Sequence, residues 1–209
     1  PQLYFFKVDL IMKYFTLIGN HDFISKDSEP GAAMTIFNEY KDKIDGVYIF
    51  ASPGIYKEMS EKIARRMKNF SDNKELHVSI VDVDIESPVD FDLVYKAMLD
   101  ESRTVIESDK LDEEEIIINI TSGTPTMCTC WVLLAQSSLI PNAKLIQSFE
   151  IRFQRKYGKA CQEVDLNIDD FPEIKSPDKV KRELNRVNKE NKILKSEKKV
   201  IEIDLQMPD

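Results

Sequence analysis

The chain has 209 residues, of which 42% are hydrophobic, enough to build one α/β domain with an extension. Its formal net charge of −8 argues against a role in coating nucleic acid, so an anionic ligand would need a local positive or dipolar pocket. No apolar run is long enough to span a bilayer, and three cysteines without zinc spacing read as reduced thiols in a cytoplasmic setting.

Residues 1–11 are apolar and irregular and precede Met12, which has the look of a native start; they are set aside as a leader or added residues. From there strands and helices alternate. Tyr14–Ile18 reads as a first strand that empties into Gly19-Asn20-His21-Asp22, a polar turn. A helix is expected from Pro30 to Asp42, with Ala33, Ile36, Phe37 and Tyr40 at helical spacing. Gly46–Phe50 is a second strand, stopped by Ala51-Ser52-Pro53-Gly54. A basic-faced helix follows from Ile55 to Asn69, then a third strand from Leu76 to Val83 and a helix from Asp90 to Glu107. His77 falls inside the third strand, where a structural role is the simpler reading. The acidic run Asp112–Glu115 reads as a solvated turn, and no metal site is expected.

Ile116–Ile120 is the fourth strand. It leads through Thr121-Ser122-Gly123-Thr124 into a helix that opens at Pro125 and runs to about Ser137. Thr124 suits the N-cap, and Pro125 suits the first helical position, where a missing N–H costs nothing. Gly123 admits close approach, and the N–H groups and dipole of the helix start favour an anion, phosphate above all. The same residues also serve a simply capped core helix. Ala143–Ser148 is a fifth strand, and Gln162–Leu166 a late short one. Between them Arg152, Arg155 and Lys156 either supply positive charge to a site or form a basic surface loop.

This alternation implies an open, mostly parallel, Rossmann-like sheet with helices on both faces. Ligands of such sheets bind beyond the carboxyl ends of the strands. The turns Gly19–Asp22, Ala51–Gly54 and Thr121–Thr124 all fall there, so Ser52 and Pro53 join the candidate rim. His21 is a candidate phosphate donor or general base. The fingerprints G-x-x-x-x-G-K-[ST], G-x-G-x-x-G and G-x-S-x-G are absent from the sequence, and Ser122 has no identifiable histidine partner. Residues 12–172 are assigned to this domain and 173–209 to a linker and charged helical extension. In the extension Val180, Leu184, Val187, Asn191, Leu194 and Ile201 fit either a parallel coiled-coil seam or a lone solvated helix.

With these residues placed, the chain resembles CARF domains, the CRISPR-associated Rossmann-like sensors of antiviral defence. The likeness rests on Leu17-Ile18-Gly19-Asn20-His21-Asp22 and on Asn119-Ile120-Thr121-Ser122-Gly123-Thr124-Pro125-Thr126-Met127. Further runs, Trp131–Leu134, Leu145–Ser148 and Gln162–Asp165, look closest to the sensor domains of RNA-repair-operon-type enhancer-binding regulators. The resemblance implies a homodimer with one composite pocket for a cyclic oligoadenylate, no cofactor, and signalling to an output domain; with no ribonuclease, ATPase or DNA-binding motif in the sequence, either that domain lies outside it or the chain is a stand-alone sensor. The resemblance also implies one pocket wall from Gly19, Asn20, His21 and Asp22 and another from Thr121, Ser122, Gly123, Thr124 and Met127. Beside these, Arg152 of the basic segment after the fifth strand is the candidate source of charge. Two alternatives stand beside it. One is a metal-independent ring nuclease that positions a ribose hydroxyl against the scissile phosphate, for which His21 and Ser122 are the catalytic candidates. The other is a sensor of RNA ends in a transcriptional regulator.

Overall fold

The structure is a computed structural model that describes residues 11–24 and 29–166; the first ten residues and the C-terminal extension lie outside the described residues, and with them the expected seam through Asn191. Six strands form one sheet: β1 Met12–Leu17, β2 Ile44–Ala51, β3 His77–Asp82, β4 Glu115–Asn119, β5 Ala143–Ser148 and β6 Cys161–Val164. Their order is β3-β2-β1-β4-β5-β6. The first five are mutually parallel, with Phe15 of β1 opposite Tyr48 on one side and Ile118 on the other. This is the expected α/β fold.

The central strands are buried on both faces, which is why they read as apolar runs such as Ile116-Ile117-Ile118 instead of alternating. Helices α2 (Ala32–Tyr40) and α3 (Ile55–Phe70) cover one face, packing Met34, Phe37, Met59 and Ile63 on Tyr14, Val47 and Ile49. Helices α4 (Phe91–Asp109) and α5 (Pro125–Gln136) cover the other. There Trp131 is fully buried, its ring 5.0 Å from Phe50 in an edge-on contact and 6.3 Å from Phe15. In α5 the buried positions are Met127, Cys130, Trp131 and Leu134, one helical stripe, so the sheet takes up the apolar face that the sequence gives this helix.

Two segments expected as irregular are helical. Asn20–Ile24 is a short helix, α1, following a reciprocal closure: Asp22 N–H donates to the Gly19 carbonyl at 3.0 Å, and Gly19 N–H donates to the Asp22 carboxylate at 2.9 Å. The basic segment after β5 is α6 (Ile151–Tyr157), ended by Gly158 at φ 68°. At about 1.5 Å per residue its seven residues rise only about 10 Å, too little to return the chain to the start of β5. So β6 pairs antiparallel instead, Ser148 opposite Cys161. His77 is the first residue of β3 and is exposed, its ring 5.8 Å from that of Tyr48. Glu115, expected in a solvated turn, is instead the first residue of β4, and its carboxylate accepts from Lys144 at 2.8 Å. No helix among the described residues is long and apolar enough to cross a membrane.

Candidate functional site

The β1–β2 crossover runs over one face of the sheet, whereas the β3–β4 and β4–β5 crossovers run over the other. The topological switch therefore lies between β1 and β4, where the strand ends splay and leave a crevice. A cavity of about 450 Å³ occupies that place. Its wall is built from four strand ends: Leu17, Ile18, Gly19 and Asn20 after β1; Phe50, Ala51, Ser52, Pro53 and Tyr56 around the end of β2; Asp84, Ile85 and Pro88 after β3; and Gly123, Thr124 and Met127 after β4. The floor is apolar and the rim polar, the pattern of a small-molecule site, and the size suits a nucleobase with its sugar. Among these wall residues Asp84 is the one charged side chain, and it is acidic.

The rim loop after β4 is held by Asn119, which is fully buried at the end of that strand. Its amide donates to the Thr16 hydroxyl at 2.9 Å and the Ser122 hydroxyl at 2.8 Å, and its carbonyl accepts from the N–H groups of Thr121 at 2.8 Å and Ser122 at 3.3 Å. The Thr121 hydroxyl accepts from Ser148 N–H at 2.9 Å and so ties the loop to the end of β5. Thr124 caps α5 by accepting from Met127 N–H at 3.3 Å, and it donates to the Pro88 carbonyl at 2.8 Å. Gly123 has φ 103°, and an added Cβ would stand 3.2 Å from Leu17 and 3.3 Å from the Met127 sulfur. On the facing loop a Cβ at Gly19 would stand 3.2 Å from the Gly123 nitrogen. Two glycines therefore let the loops after β1 and β4 approach backbone to backbone.

Of the residues expected at the site, Gly19, Asn20, Ser52, Pro53, Gly123, Thr124 and Met127 line the cavity together. Others have structural duties. Asp22 is buried, and its carboxylate accepts from Gly19 N–H at 2.9 Å and Ala33 N–H at 2.8 Å, pinning the β1 loop to the start of α2. Ser122 is buried behind the loop, and Thr121 points to β5. His21 is exposed on α1 and does not contribute to the cavity wall. Arg152 lies on α6, paired with Glu150 at 2.8 Å and away from the cavity wall. Sequence reasoning missed Tyr56, Asp84, Ile85 and Pro88; the end of the third strand was the available signal for the last three. Burial pushes the thiols of Cys130 and Cys161 up to about 11 and that of Cys128 upward as well. None is poised as a nucleophile at neutral pH. Among the described residues no group of acidic, histidine or cysteine side chains is arranged to hold a metal ion.

Comparison with known proteins places the chain. Residues 32–206 match the family model RtcR, described as the regulator of RNA terminal phosphate cyclase. The transcriptional regulatory protein RtcR of Escherichia coli strain K12 is 30% identical over 107 residues, which are 51% of this chain and 18% of that protein's length. Among solved structures, Csm6 of Enterococcus italicus bound to cyclic hexa-2′-fluoro-hexa-dAMP matches with a TM-score of 0.61 and 20% identity, over 75% of this chain and 43% of that one. At that identity the likeness is one of fold, and it agrees with the Rossmann-like topology of the sheet.

Proposed function

The chain belongs to the RtcR family of regulators of RNA terminal phosphate cyclase, and on that premise we propose that its described domain is a ligand sensor whose ligand is a cyclic oligoadenylate. The observation that carries this reading is the cavity at the switch point, apolar below and closed above by two glycine loops and the capped start of α5. An adenine would enter the apolar part between Phe50, Ile85 and Met127. The phosphate that follows it would meet backbone N–H groups and the positive end of the α5 dipole at Gly123 and Thr124. Among the described residues the wall carries no lysine or arginine, so affinity depends on dipoles and should fall only modestly with added salt.

A cyclic ligand presents the same unit repeatedly, and a two-fold dimer reads it with the same loop presented twice. Beside the rim, Val89, Phe91 and Leu93 are 73%, 43% and 45% exposed, an apolar step that continues from the cavity residue Pro88. A second protomer seated there would cover this step and complete the pocket. Occupancy would then bias the dimer and, through it, an output domain. Ser122 behind the loop and His21 outside the wall favour binding over cleavage.

A second reading follows from the family itself: a linear RNA whose end carries a cyclic phosphate, seated at the same loop. Incubation with cyclic tetra- and hexa-adenylate in the absence of metal, with bound and cleaved ligand resolved, tests the first. Retention of intact ring is the expected result. Binding of RNA ending in a cyclic phosphate more tightly than the same RNA ending in a hydroxyl, with that preference lost in Gly123→Arg and no binding of either ring, would replace it by the second.

A further inference from the structure

The segment after β5 carries a feature that the cavity does not use. Between Glu150 and Lys159 the chain places Arg152, Arg155, Lys156 and Lys159 against one acidic residue, in a protein whose net charge is −8. Glu150 pairs with Arg152 at 2.8 Å and offsets one of the four cations. Helix α6 buries no side chain. Its rings pack on one another at the surface: Phe153 and Tyr157 are stacked at 6.3 Å and 19° between planes, and Phe149 closes on Tyr157 at 5.2 Å. Phe153 is 37% exposed and Tyr157 50%. Arg152 lies over the Phe153 ring at 4.7 Å and Lys156 over the Tyr157 ring at 5.5 Å.

Stacked, half-exposed rings interleaved with cations are what single-stranded nucleic acid requires. Bases lie on ring faces whatever their identity; here they would take the places that Arg152 and Lys156 hold over Phe153 and Tyr157, and the displaced charges would meet the phosphates. An acidic peptide would use the cations and leave the rings unexplained. A membrane surface would use both, but calls for a long helix with one continuous apolar face, and this one has seven residues. The position also fits. The Thr121–Ser148 hydrogen bond fastens the rim loop to the residue before Phe149, so the platform stands next to the phosphate-binding loop on the same edge of the sheet.

We propose that Phe153 and Tyr157, with Arg155, Lys156 and Lys159, form a stacking platform that holds a short single-stranded RNA alongside the cavity. This surface is separate from the cavity's ligand, and the two readings can fail independently. The test is fluorescence anisotropy of a labelled linear oligoadenylate and a labelled mixed-sequence RNA of equal length, using the full chain. Loss of one ring should weaken both RNAs about tenfold in Phe153→Ala and in Tyr157→Ala, while Tyr157→Phe, which keeps the ring, should bind as the unaltered protein does. Arg155→Glu with Lys156→Glu should remove binding at moderate salt. Gly123→Arg, which fills the cavity, should retain linear RNA. Matched urea midpoints certify that each variant is folded. Three outcomes would overturn the proposal: no RNA binding by the unaltered chain, unchanged affinity in the folded ring variants, or binding of poly-glutamate or anionic vesicles in preference to RNA.

Discussion

Replacing Asn119 by alanine removes the element that connects the sheet to the rim loop. The side chain is fully buried and makes four hydrogen bonds, two as donor and two as acceptor. Each net bond is worth about 0.5–1.5 kcal/mol, and the 3.3 Å contact belongs at the weak end. Thr121 is exposed, so water can replace the acceptor it loses. The sum is about 3 kcal/mol, which for a domain of this size lowers Tm by about 6–12 °C. Asn119→Asp sharpens the test. The Thr16 hydroxyl gives its proton to the Leu17 carbonyl at 2.8 Å, so it cannot also donate to a carboxylate that replaces the amide. The aspartate variant should therefore lose stability too, although its shape is nearly unchanged. Urea unfolding by circular dichroism measures both. A loss below about 1 kcal/mol for alanine, or an aspartate variant as stable as the parent, would refute Asn119 as the anchor of the loop.

Gly123→Arg should abolish binding of a cyclic oligoadenylate in calorimetry. The residue it replaces has φ 103° and close neighbours on two sides, so the variant should stay folded but lose about 1–3 kcal/mol in urea unfolding. Asp22→Ala leaves the Gly19 and Ala33 N–H groups without their carboxylate acceptor and should cost about 2–4 kcal/mol, with faster amide exchange at Gly19 read by NMR. The buried thiols give a pH dependence. The folded state holds Cys130 and Cys161 protonated up to about pH 11, whereas their ordinary value is 9.0. Their contribution to stability is full below pH 9.0 and is lost as pH rises to about 11, so the urea midpoint should fall across that window, and by less in a Cys130→Ala, Cys161→Ala variant.

The strands were legible because burial on both faces leaves a run such as Ile116–Ile118 no other home, and α5 was legible from its cap and proline. Helices α1 and α6 were not. Both are short, and α6 buries nothing, so no apolar stripe marks it. Its rings satisfy one another, a pattern that a search for core-facing periodicity passes over. The cavity-lining turns after β1, β2 and β4 were approached through the strand-end rule and their glycines; Asp84 and Ile85 were missed because the turn after β3, Asp84-Ile85-Glu86-Ser87-Pro88, contains no glycine. Asp22, Thr121 and Ser122 show the limit from the other side. A carboxylate or hydroxyl in a turn serves a ligand or the backbone equally well; the partners Ala33 and Ser148 of Asp22 and Thr121 are settled by tertiary contact, whereas Ser122 turns back to Asn119 three residues earlier. His21 and Arg152 were read from residue type and proximity in sequence, and the path of the backbone carries both off the cavity wall.

The central claim, a cavity at the β1–β4 switch that reads a cyclic oligoadenylate between two copies of the chain, is tested most directly by stoichiometry. Titration calorimetry with cyclic hexa-adenylate, with sedimentation of the same samples, should give one ring per two chains and a dimer at saturation, and both should be lost in Gly123→Arg. One ring per monomer, or no heat from the unaltered protein while it remains folded, would contradict the account.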